Sequence, residues 1–299
     1  MPRIWDEWLD SVIYLYSSVE DAEQGVRFGG SGFLMSVKSE SHPDYSYTYT
    51  VTNRHVIASG GTVVRINTTD GGTDIIDLQE SDWEFHAGGD DIAMSLVELP
   101  LEKYRAKTIQ RETCVVGAID HMAGIGPGDE VFMLSRFVNV GGIQTNQPVV
   151  RFGNVAMKPT MIRSGLGWDV LSYLVESRSL SGMSGSPVYV YFPQREEWKV
   201  KDALEPMTRL MRGPFLLGID WGHPPVYDSV VDQGGKVHPD GWQVQANSGF
   251  MAVAPGWKLV EMLDSEELAT DRKKLDASRK EQDKNAVVAD SADRPFTKE

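Results

Sequence analysis

The chain has 299 residues, of which 41% are hydrophobic and 24% are charged, a balance typical of a folded globular protein. Its formal net charge of −14 argues against a protein that binds the phosphate backbone of nucleic acids and against docking on an anionic membrane. No run approaches the roughly 20 apolar residues of a membrane-spanning helix, so we expect no membrane association.

The N-terminus and the single cysteine predict a cytoplasmic protein. Asp6 and Glu7 stand where a secretory signal peptide would be apolar. Cys114, the only cysteine, can form neither a disulfide within the chain nor a thiolate-rich zinc site. The six histidines do not have the spacing of metal ligands, so we expect neither a metal ion nor another cofactor.

Short segments with the composition of β-strands dominate the chain. They are rich in Val, Ile, Thr and Tyr, and Gly, Asp, Asn and Ser separate them. The first half contains six of them, at residues 11–17, 32–37, 47–53, 62–67, 73–78 and 92–99. The second half contains six more, at residues 130–136, 149–156, 170–177, 187–192, 215–221 and 249–254. A strand-poor stretch at 100–128 separates the two sets, and this regular spacing predicts a β-sandwich or β-barrel.

Helical signals are scarce and lie mainly at the ends of the chain. We expect a short turn at 4–9 and an amphipathic helix at 257–268, where apolar residues recur at helical spacing. Residues 201–211 could form a helix that Pro206 interrupts. The charged residues that follow 270 have two interpretations, a solvated helix end with a disordered tail at 286–299, or a tether or partner helix.

Three short segments place candidate catalytic side chains at strand boundaries. His55 follows one predicted strand, Asp91 precedes another, and Ser184 lies in a glycine-flanked loop before a third. A serine hydroxyl needs an adjacent base, an imidazole can accept its proton at neutral pH, and a carboxylate can hold the imidazole in the required tautomer. Gly182 and Gly185 would let backbone N–H groups converge beside the serine and hold a developing oxyanion. The order His–Asp–Ser therefore predicts acyl transfer.

These segments resemble the trypsin-like serine peptidases, and most closely the bacterial HtrA/Deg-type branch. The resemblance rests on Gly-Ser-Gly-Phe-Leu at 30–34, Val-Thr-Asn-Arg-His-Val at 51–56, Asp-Ile-Ala at 91–93, Gly-Met-Ser-Gly-Ser-Pro at 182–187, and the strand at 215–222. It implies an all-β peptidase domain over 1–264. This domain would contain two six-stranded antiparallel β-barrels, at about 10–110 and 125–255, and a C-terminal helix from 256. Residues 265–299 would form a charged tail, partly helical or disordered and too short for a PDZ-like domain.

By this resemblance, His55 is the general base, Asp91 orients it, and Ser184 is the nucleophile of a serine endopeptidase that acts on proteins or peptides through an acyl-enzyme. Asp90 is the alternative to Asp91. The backbone N–H groups of Gly182 and Ser184 would form the oxyanion hole.

The resemblance also predicts a substrate pocket. The strand that would line the cleft ends in Asp220, Trp221 and Gly222. Arg178, six residues before the nucleophile, would lie at the base of the pocket and favour an acidic substrate side chain. The alternative is that Arg178 points to solvent or pairs with Glu176. Two long loops, at 193–214 and 223–244, would flank the cleft as a lid or a partner surface.

Other functions stay open at this point. A pseudoenzyme or binding module could use the same fold, and an enzyme could stay silent until an activating protein partner orders its loops. An α/β-hydrolase is disfavoured because it requires the order Ser–Asp–His and a glycine where Ser186 stands. Met183 replaces the Asp of zymogen-type relatives and cannot pair with a newly cut N-terminus, so we expect activity without N-terminal cleavage.

Overall fold

Sixteen β-strands form most of the part of the chain that the computed structural model describes. The described residues are 3–100, 102–117, 124–137, 142, 144–164, 167–191 and 214–292. The strands form a first sheet, a closed barrel and a separate hairpin. The all-β class that the sequence predicts is therefore confirmed.

The first sheet contains eight strands. Their bounds are β1 Val12–Tyr16, β2 Phe28–Lys38, β3 Ser46–Thr52, β4 Val63–Asn67, β5 Thr73–Ile76, β6 Glu84–Phe85, β7 Ala93–Val97 and β8 Ile109–Gln110. Their hydrogen-bonded order is β5-β4-β1-β2-β3-β7-β6, and β8 pairs in parallel with β2. The six predicted strands all form. The predicted number of strands in this sheet is too low, because β6 and β8 have only two residues each and are too short to show an alternating pattern.

The second unit is a closed antiparallel barrel of six strands. These are β9 Glu130–Ser135, β10 Val149–Arg163, β11 Asp169–Glu176, β12 Pro187–Tyr191, β13 Pro214–Gly222 and β16 Phe250–Pro255. They close in the order β10-β11-β16-β13-β12-β9. Closure pairs each strand on both sides and leaves no open sheet edge. The predicted six-stranded barrel is thus confirmed, and β10 continues beyond its predicted end at 156.

A two-stranded hairpin lies between β13 and β16. Its strands are β14 Pro225–Ser229 and β15 Gln243–Asn247, both largely exposed. The prediction of a loop at 223–244 is wrong for β14 and for the start of β15, while residues 230–242 between them lie outside the named strands. The two strands were missed because they are short and exposed and lack an alternating apolar face. The predicted helix at 201–211 and nearly all of the predicted loop at 193–214 lie outside the described residues.

Five helices complete the described fold, with two single 3₁₀ turns at Glu80–Asp82 and Arg111–Thr113. The helices are α1 Asp6–Leu9, α2 Val19–Gln24, α3 Arg54–Ala58, α4 Gly256–Leu263 and α5 Glu266–Ala292. The predicted turn at 4–9 and the predicted C-terminal helix correspond to α1 and α4. The sequence does not predict α2 and α3, which are too short for a clear helical period. Among the described helices, none combines the length and the apolar character that crossing a bilayer requires.

Helix α5 packs against the first sheet through charged side chains. Arg272 donates from Nη1 to the Tyr49 hydroxyl at 2.9 Å, and the Arg279 guanidinium lies 3.5 Å from the centre of the Tyr45 ring. Asp276 is 8% exposed and accepts hydrogen bonds from the hydroxyls of Ser39 and Tyr47. The interpretation of this segment as a solvated helix end is therefore wrong for its inner face, because Arg272, Asp276 and Arg279 have partners on the sheet, while Lys273, Lys274 and Lys280 are exposed. The helix also extends to Ala292, into the tail predicted as disordered.

Strand β2 of the first sheet contacts the loop that precedes β12 of the barrel. The Ser31 backbone N–H donates to the Ser184 carbonyl oxygen at 2.9 Å, and the Ser31 hydroxyl donates to the Gly182 carbonyl oxygen at 2.9 Å. Cys114 is buried in a bridge to Leu216, and burial raises the pKa of its thiol to about 12. Through the contacts of Ser31, the candidate catalytic serine lies where the first sheet meets the barrel.

Candidate active site

The first sheet brings His55 and Asp91 together. His55 lies in α3, directly after β3, and Asp91 lies just before β7, which pairs antiparallel with β3. The end of one strand and the start of the other consequently share one edge of the sheet. His55 Nδ1 is 2.6 Å from Asp91 Oδ2, and the His55 backbone N–H donates to Asp91 Oδ1 at 2.9 Å. With the carboxylate as acceptor, Nδ1 holds the imidazole proton and Nε2 is left to accept another.

The backbone of Asp91 is held in this position by a second group. The Asn53 side-chain amide donates to the Asp91 carbonyl oxygen at 2.8 Å, and Asp91 itself is 4% exposed. Asp90, the alternative, has its Oδ2 3.1 Å from His86 Nδ1 and 3.4 Å from Lys258 Nζ. The structure therefore brings Asp91, and not Asp90, to His55.

The loop that carries Ser184 depends on two glycines. The Met183 N–H donates to the Leu180 carbonyl oxygen at 3.0 Å, and Gly182 has a φ of 85°, which together match a type II turn with glycine at its third position. Gly185 has a φ of 91°, and a Cβ there would lie 2.0 Å from the Ser31 carbonyl oxygen. Only glycine fits this backbone and this close approach.

The backbone N–H groups of Gly182 and Ser184 are available as donors. Neither has a hydrogen-bond acceptor within the described part of the chain. The Phe28 ring packs behind the loop, since a Cβ on Gly182 would lie 2.4 Å from Phe28 Cε2. The Arg136 guanidinium is 3.7 Å from the centre of the Phe28 ring. Two unused donors in a supported loop can stabilise an oxyanion. Nothing in the sequence around Phe28 or Arg136 predicts that these two residues support the nucleophile loop.

The hydroxyl of Ser184 is not hydrogen-bonded to His55 in this structure. Its Oγ donates to the Trp221 carbonyl oxygen at 3.4 Å, and no bond to His55 Nε2 forms among the described residues. Both side chains nevertheless line one cavity of about 180 Å³. Catalytic hydrogen bonds are often long or absent without substrate, and a rotation about Cα–Cβ moves the serine oxygen.

Only two of the four predicted pocket residues line the cavity. Trp221 and Gly222 line the cavity beside His55 and Ser184. Arg178 is exposed and does not line it, so the structure does not support an arginine at the base of the pocket. Ser177 and Ser179, on either side of Arg178, are buried, whereas Arg178 itself faces solvent. Sequence reasoning missed Ser179, which lines the cavity in its place.

Asp220 lies fully buried behind the cavity. Its Oδ2 accepts from the Ser179 hydroxyl at 2.8 Å, and its Oδ1 accepts from the Gly222 N–H at 3.0 Å. Burial raises the pKa of this carboxyl to about 7, although these two hydrogen bonds and the nearby His55 imidazole act in the opposite direction. In the sequence, Asp220 is distinguished only as an acidic residue within an otherwise apolar strand.

The residues around the site do not suggest a metal centre. Within the described residues, no three side chains of the types His, Cys, Asp and Glu lie close enough together to hold a metal ion. Met183, beside the nucleophile, is buried in the apolar core of the second barrel. The expectation that activity needs no N-terminal cleavage stays a prediction.

No protein-family model and no curated protein matches the sequence. Solved structures are similar to it at low identity. The protease domain of MamO from Magnetospirillum magneticum is 16% identical, with a TM-score of 0.45, covering 88% of this chain and 100% of that chain. The Rv3671c protease from M. tuberculosis, in its active form, is 14% identical, with a TM-score of 0.44, covering 85% of this chain and 79% of that chain.

The HtrA-type protease AlgW, solved with a decapeptide, is 17% identical, with a TM-score of 0.42. That match covers 79% of this chain but only 51% of AlgW, so this chain spans about half of the AlgW chain. The first sheet, the closed barrel and the helix that follows its last strand are in line with the trypsin-like double β-barrel fold with a C-terminal helix, and HtrA-type protease domains are among the solved structures that the chain resembles.

Proposed function

We propose that the chain is a serine endopeptidase with His55, Asp91 and Ser184 as its catalytic triad. The observation that carries the proposal is the 2.6 Å contact between His55 Nδ1 and Asp91 Oδ2, at the edge of the cavity that Ser184 also lines. A structural histidine would not need a buried carboxylate on one nitrogen and an open cavity on the other side. The unused N–H groups of Gly182 and Ser184 support the same conclusion.

The reaction begins with rotation of the Ser184 hydroxyl from the Trp221 carbonyl oxygen toward His55 Nε2. The serine oxygen then attacks the carbonyl carbon of the peptide, and Nε2 takes the hydroxyl proton. The N–H groups of Gly182 and Ser184 bind the oxyanion. The imidazolium next gives its proton to the leaving amine, and an acyl-enzyme remains. Water then attacks this ester while His55 Nε2 takes its proton, and the imidazolium returns the proton to the Ser184 oxygen as the acid product leaves.

A second function, a trypsin-like module that stays silent until a partner binds, is favoured by one observation. The Ser184 hydroxyl is bonded to the Trp221 carbonyl oxygen and not to the base. A partner or substrate that donates its own hydrogen bond to the Trp221 carbonyl oxygen would free the Ser184 hydroxyl. Such a protein would react slowly with an active-site probe and faster after its partner is added.

Labelling with a fluorophosphonate, followed by intact mass, tests the proposal. We expect one label per chain in the wild type and none in Ser184→Ala. Ser59→Ala is the matched control, because Ser59 is an exposed serine after α3 and far in sequence from the nucleophile loop, and it should label like the wild type. A wild type that never labels would refute the catalytic proposal and favour the silent module.

A further inference from the structure

Ser31 on β2 is hydrogen-bonded to two residues of the loop that carries Ser184. Ser31 is fully buried. Its backbone N–H donates to the Ser184 carbonyl oxygen at 2.9 Å, and its hydroxyl donates to the Gly182 carbonyl oxygen at 2.9 Å. Gly182 and Ser184 are also the residues whose own N–H groups have no acceptor within the described part of the chain. One residue of the first sheet therefore holds both residues that would form the oxyanion hole.

The neighbours of the Ser31 hydroxyl determine which way it donates. The Arg136 backbone N–H, directly after the end of β9, donates to Ser31 Oγ at 3.3 Å. The oxygen is thus an acceptor toward the barrel strand, and its proton is directed to the Gly182 carbonyl oxygen. The Arg136 guanidinium lies on the Phe28 ring, which packs against Gly182. Gly182 is therefore held both by a hydrogen bond through Ser31 and by an aromatic ring.

The carbonyl contacts of this loop also orient its N–H groups. A peptide group is planar, so a hydrogen bond to its carbonyl oxygen fixes the N–H of the next residue as well. Ser31 holds the carbonyl oxygens of Gly182 and Ser184, and the Ser186 N–H and hydroxyl hold that of Met183 at 3.1 and 2.6 Å. The peptide group after Gly182 lies between the two free N–H groups. Its orientation consequently decides whether both donors point to the same place.

Ser31 also connects this loop to the strand that leads to the proposed base. The Thr52 hydroxyl donates to the Ser31 carbonyl oxygen at 2.8 Å. Thr52 is the last residue of β3, three residues before His55. The candidate oxyanion donors and the candidate base, which belong to different units of the fold, are therefore both connected to one buried serine.

We infer that Ser31 is a positioning residue for the oxyanion hole, because its hydroxyl holds the Gly182 carbonyl oxygen so that the N–H groups of Gly182 and Ser184 point to one place. The inference rests on the proposed function. Without the hydroxyl, this carbonyl oxygen loses its donor and its peptide group can rotate. The oxyanion of the transition state is then stabilised less, whereas binding of the ground state does not depend on these donors.

The rate of labelling by a fluorophosphonate tests this role without a known substrate, because negative charge develops on the phosphoryl oxygen of the probe. We expect Ser31→Ala to label about 10- to 100-fold more slowly than the wild type, less than the ~10²–10³ of a deleted oxyanion donor. Ser36→Ala is the matched control, because Ser36 is also buried on β2, and it should label at the wild-type rate. A wild-type rate in Ser31→Ala would overturn the inference.

A second variant and a spectrum separate positioning from a general loss of stability. Ser31→Cys keeps a weaker donor, so its labelling rate should lie between those of Ser31→Ala and the wild type. In the labelled protein the phosphoryl oxygen accepts the two N–H groups, and phosphorus NMR reports on it. The resonance of labelled Ser31→Ala should lie nearer than that of the wild type to the resonance of the denatured adduct. Identical resonances in the two folded proteins would contradict the role of Ser31.

A measurement without labelling distinguishes failure of this inference from failure of the proposed function. Proton–nitrogen NMR of protein with isotope-labelled glycine reports the Gly182 N–H directly. We expect its resonance to shift in Ser31→Ala and to stay in place in Ser36→Ala. A wild type that never labels, together with this shift, would refute the endopeptidase but not the hold of Ser31 on Gly182. A wild type that labels, with neither rate nor resonance changed in Ser31→Ala, would refute the positioning role alone.

Discussion

The Ser184 hydroxyl donates to the Trp221 carbonyl oxygen at 3.4 Å, while His55 is already bonded to Asp91 at 2.6 Å. One half of the candidate triad is therefore assembled, and in the other half the serine hydroxyl has an acceptor other than the base. The assembled half lies within the first sheet, where β3 and β7 are neighbours. The other half joins the first sheet to the barrel, so it depends on how the two units pack.

Asp91→Asn should lower kcat by about 10⁴-fold, the loss typical of this substitution in Ser–His–Asp triads. The reason is that an amide in place of the carboxylate can donate to Nδ1 and so favours the wrong imidazole tautomer. Steady-state kinetics on a cleavable peptide would measure the effect. Asp90→Asn is the matched control and should keep most of the activity, because Asp90 contacts His86 and Lys258. Equal losses in the two variants would contradict the assignment of Asp91.

Gly185→Ala should destabilise the protein strongly. The φ of 91° costs an alanine about 1–2 kcal/mol, and the overlap of its Cβ with the Ser31 carbonyl oxygen adds a steric cost of about 1–3 kcal/mol. Gly235→Ala separates the two effects, because Gly235 has a φ of 79° and a Cβ there would meet no atom of the described residues within 4 Å. Thermal unfolding should show the larger loss in Gly185→Ala, and similar losses would argue against the close contact between the first sheet and the barrel.

The Asp220 carboxyl should make stability depend on pH. Burial raises its pKa in the folded protein from the ordinary value of 3.8 to about 7. Between these values the folded chain keeps a proton that the unfolded chain has released, so the free energy of unfolding falls as pH rises from about 4 to about 7. Asp220→Asn lacks this contribution.

Urea unfolding of the wild type and Asp220→Asn across this range would measure the difference. The other titratable groups at the cavity, His55, Asp91 and His223, are present in both proteins, so the comparison reports mainly on Asp220. The stability of the wild type relative to the variant should decrease as pH rises. A difference that does not change with pH would contradict a raised pKa.

Asp276→Ala should loosen α5 from the first sheet. It removes the acceptor of the buried Ser39 hydroxyl, which is left unpaired at a cost of about 1–3 kcal/mol, and one of the two acceptors of the Tyr47 hydroxyl, which keeps the Arg272 carbonyl oxygen. Asp271→Ala on the same helix is the control, because its exposed pair with Lys274 contributes about 0–1 kcal/mol. Chemical denaturation would measure both. Equal and small effects would mean that α5 does not depend on this contact.

Much of the fold could be predicted because its signals are local. Alternating apolar residues and the turn residues between them locate the strands of both units, and the segments around His55, Asp91 and Ser184 mark where strands end. The two-residue strands, α2 and α3 could not be predicted in this way, because they are shorter than the period that would reveal them. The hairpin of β14 and β15 was missed because it is exposed and lacks a buried apolar face.

The sequence by itself determined the strand segments, the candidate catalytic residues and the glycines that their loop requires, since each depends on neighbours along the chain. Only the tertiary structure decided between Asp90 and Asp91, turned Arg178 outward, placed Asp220 behind Ser179, and paired Asp276 with Tyr47. These outcomes depend on which groups distant in the chain meet in space. No periodicity or spacing encodes such meetings, because burial and pairing arise only when the sheet and the barrel pack together.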